Sequence, residues 1–148
     1  WPLLGMLATG AGTLYIERAS RKDALRMVKD MADAMKEGDV VAVFPEGTTS
    51  DGRDLLPFHA NLIQSAIQAD APVQPMSLKF IDADSGEPSY APCYIGDDTL
   101  IGSMWRTLTA SRIKAVVHFG EAQTANGRDR RAWAQDLRQD IIRLRDAS

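Results

Sequence analysis

The chain has 148 residues, 45% hydrophobic and 25% charged, with 11 Gly and 7 Pro. That fits one globular domain and excludes a disordered chain, a collagen-like repeat and a disulfide scaffold. Its 17 Lys and Arg against 20 Asp and Glu give a net charge of −3; this argues against a non-specific nucleic-acid binder, and the single Cys93 points to a reducing compartment.

Residues 1–11 are apolar but are broken by Pro2, Gly5 and Gly10. They fall short of the roughly 18 to 20 residues that a membrane span needs, and no signal peptide is visible. The chain opens at Trp1 inside this apolar segment, so an upstream piece is expected to belong with it. Residues 13–18 (TLYIER) predict a short strand, with Leu14 and Ile16 on one face. Ser20 then predicts a helix cap, with Asp23 three residues on. Leu25, Val28, Met31, Ala32 and Met35 follow at helical spacing up to a stop at Gly38. The run 40–44 (VVAVF), ended by Pro45, predicts a strand buried on both faces of a sheet.

After a loop over residues 46–54, a second helix is predicted over 57–68. Pro57 would stand near its first position, and Phe58, Leu62, Ile63, Ala66 and Ile67 would form its inner stripe. Residues 73–80 predict a strand that Pro75 restricts to an edge or bulge, and 82–88 a turn. Residues 99–110 predict a helix and 112–119 a strand with Ile113, Val116 and Val117 inside. Residues 129–146 predict a final helix with Trp133, Leu137, Ile141 and Leu144 as its stripe. Alternating strands and helices imply an α/β fold, a mixed, largely parallel sheet flanked by helices. Ligands in such sheets bind beyond the carboxyl ends of strands, which selects the loops after Ile16 and Phe44.

The loop from Phe44 to Ser50 (FPEGTTS) is the most informative stretch. A predicted strand delivers the Glu46 carboxylate. Gly47 lets backbone approach a ligand, and Thr48, Thr49 and Ser50 offer hydroxyls to an anionic or polyhydroxy substrate. The plainer alternative is a polar turn whose hydroxyls satisfy local backbone. Arg18, at the end of the first predicted strand, can bind a phosphate bidentately or form a surface ion pair with Glu17.

Those stretches, in this order, resemble the glycerolipid acyltransferases, most closely the 1-acylglycerol-3-phosphate (lysophosphatidate) acyltransferases. The match covers just over half of the chain. Residues 1–5 resemble the lead-in to the family's second block, Gly12 to Arg18 that block, Phe44 to Ser50 the third, and 71–76 (APVQPM) the fourth. The resemblance implies transfer of a fatty acyl group from acyl-CoA or acyl-carrier protein to a lysophospholipid hydroxyl. It implies no metal or redox cofactor and places the full-length enzyme at the cytoplasmic face of a membrane. Arg18 would hold the acceptor phosphate and Glu46, Gly47 and Thr48 the head group, while Gly12, Phe44, Pro45 and Pro75 would shape the pocket.

The family's chemistry rests on a histidine followed after four residues by an aspartate, a general base and its orienting carboxylate. Neither histidine here fits, since Gln64 stands five residues after His59 and Gln123 five after His118. In the family that pair lies upstream of the block that Gly12 to Arg18 resembles, so the resemblance implies that it stands before Trp1. The 148 residues are then the C-terminal part of a single acyltransferase domain, inactive alone. Thr49 also stands where the family often has arginine. Arg53 could compensate if the turn folds back, or the acceptor could be a lyso-form of an amino-acid-containing lipid.

Other candidates have plainer readings. His59 would point at a backbone carbonyl or solvent rather than bind ligand or hold the loop, His118 would sit in the core or at an edge, and Cys93 would be a small buried hydrophobe. The arginines at 128, 130, 131, 138, 143 and 145 alternate with aspartates and suggest a solvated helix face. Met104, Trp105 and Leu108 are spaced like a core stripe or a lipid-contact patch. A non-catalytic lipid- or phosphate-binding module is the competing class of function.

Overall fold

A computed structural model describes residues 21–147. Helix α1 is Arg21–Lys36, α2 Ala60–Ala69, strand β1 Met76–Asp82, helix α3 Leu100–Thr109, strand β2 Ile113–Phe119 and helix α4 Arg130–Asp146. Among the described residues the one sheet is the antiparallel pair β1–β2, with Met76 opposite Phe119 and Asp82 opposite Ile113. The mixed helix-and-strand architecture is as expected. The predicted strand at 13–18, the Ser20 cap, Gly12 and Arg18 lie outside the described residues.

Helix α1 buries Val28, Met31 and Ala32 and packs on α2. It stops where expected: Gly38 has φ +99°, its N–H donates to Met35 O at 3.2 Å, and Asp39 N–H donates to Ala34 O at 3.0 Å. This paired closure needs a left-handed residue after the last turn. Helix α4 packs on α2 and on both strands. Ile63 and Ala66 of α2 close over Trp133, Ala134 and Leu137 of α4, with Phe58, Ile67 and Val73 at the margin. Trp133 is 0% exposed, and its indole N–H donates to Gln123 Oε1 at 3.2 Å, so its one polar atom is satisfied where its ring is dry.

Several expectations are corrected. Residues 40–44 form no strand; Val40 is 98% exposed and Phe44 77%. An apolar run shows which side chains can be buried, but a strand also needs a neighbouring ladder, and among the described residues none pairs with this run. Helix α2 begins at Ala60 rather than near Pro57. Residue His59 is its extended N-cap, and its N–H is drawn back to Pro45 O at 2.7 Å. Strand β1 starts after Pro75, whose ring nitrogen has no proton for a ladder. Val117 points outward with Met76, Leu78 and Phe119, because the opposite ribbon face, including buried Ser77, is the one that packs.

Helix α3 also departs from the core reading. Thr99 caps it by accepting from Gly102 N–H at 3.1 Å. Its polar side is the one held: Arg106 pairs with Asp98 at 2.8 Å and donates through Nε to Ala91 O at 3.0 Å, while Thr107 Oγ1 donates to Ala91 O at 3.2 Å. Ile101, Met104, Trp105 and Leu108 therefore face outward, Trp105 at 70% exposure.

Candidate functional site

The loop of residues 44–59 is folded on itself. Gly47 N–H donates to Phe44 O at 3.0 Å and closes a turn. This brings Glu46 inward, where Oε2 accepts from the Leu56 N–H at 2.7 Å. Gly47 has φ +68°, and a Cβ there would lie 2.6 Å from His59 Cδ2 and 2.8 Å from Nε2. The imidazole thus lies against the glycine; the positive φ favours Gly at this position, and any larger residue would have to displace the ring. Pro45 supplies the carbonyl that anchors the His59 N–H.

The hydroxyls divide. Thr48 and Thr49 are exposed; Thr48 Oγ1 makes only a long donation of 3.5 Å to Thr49 O. Ser50 Oγ accepts from Gly52 N–H at 3.2 Å, so for this residue the local-turn reading holds. Arg53 pairs with Asp51 at 3.7 Å and lies over the Tyr90 ring at 5.3 Å. Phe44 stands exposed at the loop's start. Pro75 is buried at the ribbon end, where its carbonyl accepts from Gly120 N–H at 2.8 Å, so its described partners belong to the ribbon. Glu46, Gly47, Thr48, Thr49 and Ser50 are consecutive in the chain, and among the described residues no hydrogen bond joins the Glu46 carboxylate to the three hydroxyls.

Cys93 borders the loop, donating from Sγ to Asp51 O at 3.4 Å. Burial, with the nearby Asp51 charge, pushes its thiol pKa up, the opposite of an activated nucleophile. A groove of about 540 Å³ between α1 and α2 is lined by Leu25, Val28, Asn61, Gln64, Gln68 and Arg130 among others; none of the loop residues lines it.

Two arginines assigned to a solvated face prove to hold the loop. Arg138 donates through Nε to Leu56 O at 3.0 Å and through Nη2 to Leu55 O. Arg145 Nη2 reaches Gly52 O at 2.6 Å and Arg53 O at 2.9 Å. Helical spacing does signal them: Arg138 and Arg145 stand one residue after the stripe positions Leu137 and Leu144, which puts them at its border.

A family model described as Acyltransferase matches residues 1–79, more than half of the chain. The chain belongs to the acyltransferase family. Over 95% of its length this acyltransferase chain is 35% identical to a lyso-ornithine lipid O-acyltransferase of Pseudomonas aeruginosa, of which it covers 54%. It is also 35% identical, over 95% of its length, to a 1-acyl-sn-glycerol-3-phosphate acyltransferase of Neisseria gonorrhoeae, of which it covers 55%. A lyso-ornithine lipid O-acyltransferase of Brucella abortus is 30% identical over 97% of the chain, with 58% of the relative covered. The chain thus spans about half the length of these relatives. No solved structure matches it. Among the described residues no helix is long and apolar enough to cross a membrane.

Proposed function

We propose that the protein carrying this chain transfers a fatty acyl group from a thioester, acyl-CoA or acyl-carrier protein, to the hydroxyl of a lysophospholipid in phospholipid biosynthesis, with 1-acylglycerol-3-phosphate going to phosphatidate. The acceptor oxygen attacks the thioester carbonyl carbon; a C–O bond forms, the C–S bond breaks, and the hydroxyl proton passes through a general base to the departing thiol. The balance calls for no metal or redox cofactor, because the thioester is already activated.

The observation that supports this role is the inward Glu46 carboxylate, anchored through one oxygen to Leu56 N–H beside the exposed Thr48 and Thr49 hydroxyls. This is an acceptor-side site: Arg18, Glu46, Gly47 and Thr48 hold the head group. The general base is the family's His-x4-Asp pair, which residues 1–148 do not contain; the largely parallel sheet that the resemblance implies belongs to the same proposal. Thr49, in place of the family's usual arginine, removes a phosphate ligand and favours a second acceptor class, a lyso-amino-acid lipid. The names of the relatives in Pseudomonas and Brucella agree with that class. The outward stripe of α3, with Trp105 in it, fits a membrane surface as the place where these lipids are met.

Mass spectrometry of products from acyl-CoA with lysophosphatidate, and separately with lyso-ornithine lipid, tests this. The full-length protein is expected to acylate at least one acceptor, while residues 1–148 alone give no catalytic product. Tight lysophospholipid binding without turnover by the full-length protein would favour a binding module. Turnover by residues 1–148 at near full-length rates would overturn the placement of the base.

A further inference from the structure

Leu55 C=O and Leu56 N–H are the two ends of one peptide group, and each is engaged by a charge. On the oxygen side, Arg138 Nη2 donates to Leu55 O. On the nitrogen side, Leu56 N–H donates to Glu46 Oε2 at 2.7 Å. The arginine's Nε takes the next carbonyl, Leu56 O, at 3.0 Å, so a two-pronged fork fixes the peptide's rotation as well as its position. A cation on the carbonyl polarises the amide and strengthens the N–H as a donor. Arg138 is half-buried and stands next to Leu137, which is locked in the core with Trp133. The core of α2 and α4 is thereby connected to the carboxylate of the loop.

We infer that Arg138, which lies beyond the 1–79 segment matched by the family, is a positioning residue for acceptor binding: it orients the Leu55–Leu56 peptide that aims Glu46. With Oε2 committed to Leu56, Glu46 Oε1 has no protein hydrogen-bond partner among the described residues and is the oxygen left for an acceptor hydroxyl or ammonium group. Arg145 braces the same loop farther along, at Gly52 and Arg53, and orients no peptide that Glu46 contacts. The inference rests on the proposed role of Glu46.

The experiment uses the full-length protein with Arg138→Met, Arg138→Lys and Glu46→Gln, measured for acceptor KM, donor KM, kcat and hydrogen exchange at the Leu56 amide. Arg138→Met is expected to raise acceptor KM and Leu56 exchange about tenfold or more, leaving donor KM and exchange at Ile63 unchanged. Arg138→Lys, which keeps the charge and loses the fork, is expected to recover part of both effects. If Arg138→Met does not fold, the Lys variant decides by the same two readouts. Unchanged Leu56 exchange and acceptor KM in the folded Arg138 variants, with Glu46→Gln impaired, would overturn the inference. Unimpaired Glu46→Gln would instead overturn the role of Glu46 itself.

Discussion

The close approach of His59 to Gly47 gives a quantitative prediction. In Gly47→Ala two costs add. The first is backbone: φ +68° puts an L-residue in the left-handed region at roughly 1–2 kcal/mol. The second is steric, since the new Cβ would meet imidazole atoms at 2.6 and 2.8 Å. Those atoms belong to an exposed ring that can turn aside, so the second cost is that of an off-rotamer side chain, roughly 0.5–1.5 kcal/mol. Gly96→Ala is the control, because Gly96 has φ +59° and nothing within 4 Å of a built Cβ; it isolates the backbone cost. Equilibrium denaturation should therefore show Gly47→Ala more destabilising than Gly96→Ala, and the excess should vanish when both are made in a His59→Ala background. Equal losses at the two glycines, or an excess that survives His59→Ala, would refute the packing described.

Trp133→Ala should cost roughly 3–5 kcal/mol in denaturant unfolding, as expected for emptying a dry aromatic site, whereas a loss below about 1 kcal/mol would mean that Trp133 is not the core's centre. Asp82 accepts from Ser85 N–H at 2.9 Å, Asp84 N–H at 3.0 Å and Ser111 Oγ at 2.7 Å. These bonds, the Ser85 backbone first, lower its pKa to about 2 from an ordinary 3.8. Because the folded pKa is depressed, the turn's stabilisation is complete above pH 3.8 and is lost as pH falls toward 2. The Ser85 amide shift should titrate near the lower value and stay flat in Asp82→Asn; a midpoint near 3.8 would contradict the bonding. On vesicles, Trp105 emission should shift to the blue, and Trp105→Ala should weaken sedimentation with them; unchanged sedimentation would remove α3 from the membrane contact.

The elements most legible in the sequence were those whose determinants are local. Gly38 ends α1 where expected, and α3 and α4 fall inside the expected ranges 99–110 and 129–146, with Thr99 and Asp129 found as their caps. These follow from one residue's hydrogen-bonding or backbone preference. What depended on a distant partner was not legible. Residues 40–44 are apolar enough for a buried strand, yet a strand also needs neighbours. Met104, Trp105 and Leu108 sit at helical spacing, but spacing cannot say whether the apolar or the polar side of α3 is held. At the site, the FPEGTTS loop and its turn were visible from Gly47 and the clustered hydroxyls. The place of Arg138 at the border of the α4 stripe was legible from spacing, but its role was not, because that depends on carbonyls more than eighty residues away, which it meets through the packing of α4 on α2.

The proposed acceptor-side role of the loop is tested most directly by acyl transfer from acyl-CoA by the full-length protein bearing Glu46→Ala, alongside Arg18→Ala, with lysophosphatidate and lyso-ornithine lipid as acceptors. Folded Glu46→Ala is expected to lose most of the activity with either lipid, and Arg18→Ala to lose more with the phosphate-bearing acceptor. Wild-type rates from folded Glu46→Ala would contradict that role.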